Sequence, residues 1–271
     1  MYRSETMSDI IIAFILGIVE GLAEFLPISS TGHLILVGHL LGFEGERAKT
    51  FEIVIQLGAI LAIAILYHKR LVSLCNIKPL IQKEKKFNAF HVFLGVFPAV
   101  VAGLLLHDII KTYLFQPYTV VIGLVAGAIL MIFAEVKKKG AAAYSLDDLT
   151  YRQALTIGLF QCLAVYPGFS RAGSTISGGL LAKVNYKTAS EFSFLIALPV
   201  MIGATGLDLL KSWKYLSVDD IPMFAVGFIT SFIVAMLAVV TFLKLLEKIG
   251  LKPFAYYRIL LAILFTLFVL L

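Results

Sequence analysis

Glu20, Glu24 and His33 fall within GIVEGLAEFLPISSTGH at 17–33, a stretch set in a chain apolar enough that most of it must lie in lipid. Ionisable side chains at membrane depth are costly and mark functional sites. Glu20 and Glu24 are four residues apart, so a helix carries both carboxylates on one face. Pro27 ends that helix, because it disfavours helical geometry at Leu26 and cannot continue the backbone ladder. Ser29, Ser30 and Thr31 then offer hydroxyls suited to capping a second helix that runs on through Leu34. Two acids, three hydroxyls and an imidazole around the positive end of a short helix make a place for a phosphate.

A second stretch, YPGFSRAGST at 166–175, supplies the opposite charge. Arg171 needs an anion in the membrane interior, and its fork matches phosphate oxygens. Ser170, Ser174 and Thr175 add donors, while Gly168 and Gly173 let the backbone come close. Two half-helix N-termini facing each other would hold a diphosphate, one bringing positive charge and the other carboxylates, His33 and Ser30. Displacement at phosphorus needs a nucleophile in line with the leaving group and neutralised oxygens. Ser30 or His33 could attack, or a carboxylate could orient water. Glu20 and Glu24 could act as general base or hold a divalent cation, Mg2+ or Ca2+, that bridges the diphosphate. These roles stay open on the residues alone.

The elements that position these groups follow from composition. Hydrophobic residues make up 60% of the 271 positions and charged ones 15%, with a mean hydropathy of +0.95, which no ordinary soluble domain matches. Runs such as Ile53 to Tyr67 are apolar on every face, unlike the alternation of a membrane β-barrel. The fold class expected is therefore an all-α polytopic membrane protein. The formal charge of +6 is gathered in loops between apolar runs, as cytoplasmic loops require, which argues against nucleic acid as a partner. The N-terminus lacks the pattern of a cleaved signal peptide. Cys75 and Cys162 have neither metal spacing nor a disulfide pattern.

Ile10 to Leu26 reads as a helix that enters the membrane, breaks at Pro27 and returns to Leu41 as a re-entrant hairpin. Spans are expected at Phe51 to Tyr67, Ala89 to Ile109 and Tyr118 to Val136, with the basic stretch Lys69 to Lys86 and the lysines at 137–139 both cytoplasmic. Ala154 to Ala182 repeats the hairpin pattern around Pro167 and Gly168. A shift of 140 pairs Pro27 with Pro167, Ser30 with Ser170 and Gly38 with Gly178; a shift of 139 pairs Glu52 with Glu191. Ser190 to Leu209, Ile221 to Phe242 and Phe254 to Leu271 complete the second set, with Lys244, Lys248 and Lys252 again cytoplasmic. The expectation is a single integral membrane domain over 1–271, made of two inverted repeats at 8–136 and 147–271, each a re-entrant hairpin plus three transmembrane helices. Broken helices at matching places in inverted repeats point to a site at the bilayer midplane.

These motifs resemble the undecaprenyl-diphosphate phosphatase family, the bacitracin-resistance membrane enzymes of BacA/UppP type. The likeness covers almost the whole chain, through EGLAEFLPISSTGH at 20–33, TFEIVIQLGAI at 50–60, PGFSRAGSTISGG at 167–179 and ASEFSFLIALP at 189–199. It implies hydrolysis of undecaprenyl diphosphate to the monophosphate carrier of cell-wall synthesis, in the bacterial inner (plasma) membrane, with the active site facing the periplasm. The family's acidic motif maps onto Glu20 and Glu24, its serine and histidine onto Ser30 and His33, and its PGxSRSxxT motif onto Pro167, Gly168, Ser170, Arg171 and Thr175. Ala172 stands where that motif usually has serine. The catalytic set expected is Glu20, Glu24, Ser30, His33 and Arg171. Ser29, Thr31, Gly168, Ser170, Gly173, Ser174 and Thr175 are expected to bind substrate, with membrane lipids as the other partners and assembly as a homodimer left open. Glu52, Gln56 and Glu191 read as structural partners, and His39, His91, His107 and Asp108 as interfacial or structural. The rival readings are a transporter or flippase of a phosphorylated polyprenyl lipid, since inverted repeats are a transporter architecture, and a lipid-binding scaffold.

Overall fold

The computed structural model describes residues 2–76, 86–109, 117–212 and 217–270. Residues 77–85 of the basic stretch and the side chains of His107 and Asp108 lie outside the described residues. The order is α1 (Tyr2–Ala23), α2 (Ser30–Leu40), α3 (Glu46–Leu66), α4 (His68–Leu74), α5 (Ala89–Ile109), α6 (Pro117–Lys137), α7 (Tyr151–Gln161), α8 (Arg171–Leu181), α9 (Tyr186–Ser212), α10 (Ile221–Ile249) and α11 (Lys252–Phe265). Among the described residues the fold is all-helical, apart from one isolated bridge between Ala143 and Val184. Among the described residues six helices are long and apolar enough to cross a membrane: Glu46–Leu66, Ala89–Leu106, Pro117–Lys137, Tyr186–Gly206, Val218–Ile249 and Lys252–Leu270. They coincide with the six spans expected from sequence. The chain is a multi-pass helical membrane protein.

Close helix crossings hold the bundle. Lipid is as apolar as leucine, so helices associate in a bilayer through tight packing rather than through exclusion from water. Helix α1 lies along α10, where a Cβ built on Gly17 would sit 2.7 Å from the carbonyl oxygen of Gly227. Helix α7 lies along α5 in the same manner, and a Cβ on Gly158 would sit 2.4 Å from the carbonyl oxygen of Leu94. Helix α3 touches α10 as α9 touches α5, α3 meets α9, and α6 meets α11. Because the atoms facing Gly17 are backbone, Gly17→Leu is expected to destabilise the protein by roughly 1–3 kcal/mol. Thermal unfolding in detergent checks this, with Gly140→Ala as control, since a methyl there meets nothing within 4 Å.

Polar clusters fix which helix ends lie together. Arg47 donates to Asp9 at 2.9 Å and to Asp220 at 2.7 Å, tying the start of α3 to α1 and to the turn before α10. Elsewhere Glu135 accepts from Lys138, from the Tyr186 hydroxyl and from the Leu251 amide, so the end of α6 meets the starts of α9 and α11. Lys137 to Lys139 and Lys252 thus share one end of the bundle.

The two short helices α2 and α8 start alike. Each follows a serine in the left-handed region, Ser29 at φ 70° and Ser170 at φ 72°. Each serine Oγ accepts from the amide three residues on, that of Gly32 at 3.4 Å and of Gly173 at 3.2 Å. A non-glycine residue held there costs about 1 kcal/mol or more and persists only where surroundings enforce it. The caps are 141 positions apart, one more than the shift that matches the prolines. Pro27 is followed by Ile28 and the cap, whereas Pro167 is followed by Gly168, at φ 82°, Phe169 and the cap. Ser30 therefore corresponds to Arg171 rather than to Ser170; both are the first residue of their helix.

Candidate active site

The breaks at 24–29 and 166–170 meet at a cavity of about 560 Å3. Glu24, Ser29, Ser30, Thr31, Gly168, Ser170 and Arg171 line it, with Gln56, Gln161 and Tyr166. The rest of its wall is apolar and comes from Ala99, Val100, Gly103 and Leu104 on α5 and Pro199, Val200, Met201, Gly203 and Ala204 on α9. Val100 and Leu104 also reach the outer surface of the bundle. The cavity is polar at one end and oily at the other.

Glu24 is the hinge of the polar end. Helix α1 stops at Ala23, and the Glu24 amide makes the last helical bond, to the Glu20 carbonyl at 2.9 Å. Its carboxylate accepts from Ser30 Oγ at 2.6 Å and from Arg171 Nη2 at 3.2 Å, one oxygen for each. The side chains of this ion pair are only 11% and 6% exposed, for Arg171 and Glu24 respectively, so bulk water screens it little. Arg171 is aimed from behind. Its Nη1 donates to the Ser193 carbonyl at 3.0 Å and to Ser193 Oγ at 3.2 Å, and Ser193 Oγ pairs with Thr175 Oγ1 at 2.7 Å. The guanidinium lies 5.7 Å above the Phe25 ring. Its Nε–H is buried with no protein partner.

A hydroxyl, a carboxylate and a guanidinium in series follow the logic of an activated nucleophile: the base reaches the hydroxyl proton and is itself oriented by a third group. The other expected site residues stand around this series. Glu20 is fully buried one turn back along α1, outside the cavity lining, and neither oxygen has a hydrogen-bond partner. Its charged neighbours are Glu24, Glu52 and Arg171. His33 lies along α2, also outside the lining. Its Nδ1 bonds the Ser29 carbonyl at 2.8 Å and its Nε2 the Tyr257 hydroxyl at 2.7 Å. Gly173 and Ser174 serve the start of α8, the first as the capped amide and the second through bonds to the carbonyls of Ser170 and Arg171.

Gln56, read from sequence as a structural partner, stands at the site, as do three residues that sequence reasoning passed over, Gln161, Ser193 and Arg258. Gln56 lines the cavity and accepts from Thr205 at 3.4 Å. Gln161 lies 141 positions after Glu20, lines the cavity, and leaves Oε1 buried without a partner. Ser193 orients Arg171. Arg258, fully buried on α11, bonds carbonyls at both breaks. An arginine inside LKPFAYYRILLAILF is as conspicuous as Glu20, and the membrane-depth argument applied to it would have found it.

A family model described as "Bacitracin resistance protein BacA" matches residues 13–264. Two proteins named undecaprenyl-diphosphatase 1, from Bacillus thuringiensis (strain Al Hakam) and Bacillus anthracis, are each 96% identical to this chain over 265 residues, which is 98% of this chain and all of theirs.

Proposed function

Because the chain belongs to the bacitracin resistance protein BacA family, we propose that it is an undecaprenyl-diphosphate phosphatase, converting undecaprenyl diphosphate to undecaprenyl phosphate and inorganic phosphate. The observation that carries this reading is the Ser30–Glu24–Arg171 series at the polar end of a cavity whose other end is apolar. A polyprenyl diphosphate has the same division. Its head fits among the capped helix starts and the free Nε–H of Arg171, and its chain fits between α5 and α9. There Gly103 and Gly203 leave the wall bare, since a methyl on either meets nothing within 4 Å.

In the reaction proposed, Glu24 takes the hydroxyl proton as Ser30 Oγ attacks the terminal phosphorus. The bond from that phosphorus to the bridging oxygen breaks, and the lipid monophosphate leaves. Water then cleaves the phosphoserine and frees inorganic phosphate. Arg171 and the amides at the two helix starts hold the oxygens on which charge accumulates. His33 fixes the cap of α2 through the Ser29 carbonyl, and Ser29, Thr31, Gly168, Ser170, Gly173, Ser174 and Thr175 shape the anion cradle.

A divalent cation such as Mg2+ or Ca2+ would meet Glu24 at the cavity wall, with Glu20 buried one turn behind adding negative charge rather than a ligand oxygen, and when bound would neutralise diphosphate oxygens. No three His, Cys, Asp or Glu side chains converge as a metal cluster among the described residues. Most ligands of such an ion would thus be substrate oxygens and water.

The two halves are read as inverted repeats, each with a re-entrant hairpin, meeting at the bilayer midplane. The twin serine caps and the matched helix pairings support this. The protein is placed in the bacterial inner (plasma) membrane, with the cavity opening to the periplasmic side. The lining of α5 and α9 at 99–104 and 199–204 supports this, because it falls away from the lysine-bearing end of the bundle. Purified protein given polyprenyl diphosphate is expected to release inorganic phosphate. Ser30→Ala is expected to lose about two orders of magnitude or more of that rate. Lipid movement without phosphate release would identify a transporter, and full release by the Ser30 variant would exclude the route through its hydroxyl.

A further inference from the structure

We propose that Arg258 is a positioning residue that sets the distance between the two halves of the active site. This rests on the reading of that site given above. One guanidinium on α11 donates to the Pro27 carbonyl at 3.5 Å and to the Gly168 carbonyl at 2.9 Å, one from each break. It also donates to the carbonyls of Leu124 at 3.1 Å and Gly123 at 3.0 Å on α6. Its side chain is fully buried, and among the described residues no carboxylate pairs with it. Its oxygen partners among the described residues are all backbone carbonyls.

A buried cation without an anion is expensive, and a broken helix in lipid exposes carbonyls that must find donors. Arg258 answers both needs, because the breaks supply acceptors that a planar fork can reach together. The seat is built for it. A Cβ on Gly127 would lie 2.2 Å from Arg258 Nη2 and 2.5 Å from the Phe169 carbonyl oxygen, so glycine is what admits both the guanidinium and the second break at that point of α6. Pro27 precedes the Ser29 cap by two residues, as Gly168 precedes the Ser170 cap. A shift of Arg258 therefore moves Ser30 relative to Arg171, and Glu24 cannot keep both bonds. Lysine carries the same charge but is a point donor that cannot span the two breaks.

The test is Arg258→Lys, read in two ways. Nitroxides on Thr31→Cys and Tyr166→Cys, with Cys75 and Cys162 changed to serine, report the separation of the breaks by pulsed electron resonance. The expected result is a distribution that is broadened or shifted relative to the parent. In the unlabelled variant, kcat per folded enzyme should fall about 100-fold, with KM for polyprenyl diphosphate within about threefold of the parent. An unchanged separation overturns the proposal, as does a kcat near that of the parent. A raised KM at normal kcat also overturns it, since that marks a direct contact with substrate. Should Arg258→Lys fail to fold, Arg258→Gln takes its place: it keeps one donor group but is too short to reach both breaks, and should give the same two changes. The separation is measured without turnover, so a parent that releases no phosphate removes the proposed reaction while leaving this inference to its own result.

Discussion

Replacing Glu24 by alanine should nearly abolish phosphate release from polyprenyl diphosphate. The carboxylate is the acceptor for Ser30 Oγ and the counter-ion of Arg171 at once. Loss of a general base alone costs about 10²–10⁴ in rate. The substitution also strands Arg171 as an unpaired cation in a site where its side chain is 11% exposed. Breaking such a pair from one side costs about 3–5 kcal/mol of stability. Turnover and the unfolding midpoint should therefore fall together in Glu24→Ala. Glu24→Gln keeps the shape and one acceptor oxygen but has no basicity. It should retain more stability while turnover stays as low as in the alanine variant. Near-native turnover in the glutamine variant would remove Glu24 as the base.

Arg171→Lys is the second large effect. Lysine preserves the charge and gives up the fork, and the fork is what the surroundings are built to hold: Ser193 takes two of its bonds and Glu24 a third. Arginines that stabilise transferring phosphoryl groups are worth about 10³–10⁵ in rate. A loss of roughly 10³ is expected for lysine, and more for alanine. In Arg171→Ala, added guanidinium should restore part of the rate, because the side chain lines an open cavity. A lysine variant within tenfold of the parent would mean that charge alone suffices and that the fork geometry is incidental.

Much of this was legible before any coordinates. The six spans follow from apolar runs and lysine placement, because lipid permits few ways to satisfy a backbone. The pairing of Glu24 with Arg171, residues 147 positions apart, follows from two unlike charges at two proline breaks in an oily chain. The register of the breaks did not follow. Matching prolines aligned Ser30 with Ser170, whereas the backbone aligns Ser30 with Arg171, because the second break carries one residue more before its cap. Nor did sequence tell that Glu20 and Glu24 part company. The helix ends at Ala23, which leaves Glu20 sealed in the bundle and brings Glu24 to the cavity. Both depend on where a turn closes, a matter of a single residue that periodicity does not resolve.

The place of Arg258 in the chain bears on how the protein is made. Both breaks and the acid that joins them are translated well before α11, so a nascent chain carries two open turns and no clasp. Helix α11, which leaves the ribosome after both breaks, brings the guanidinium that secures them. Until then the growing polypeptide should be incapable of turning over lipid, and the membrane meets no half-formed hydrolase during synthesis.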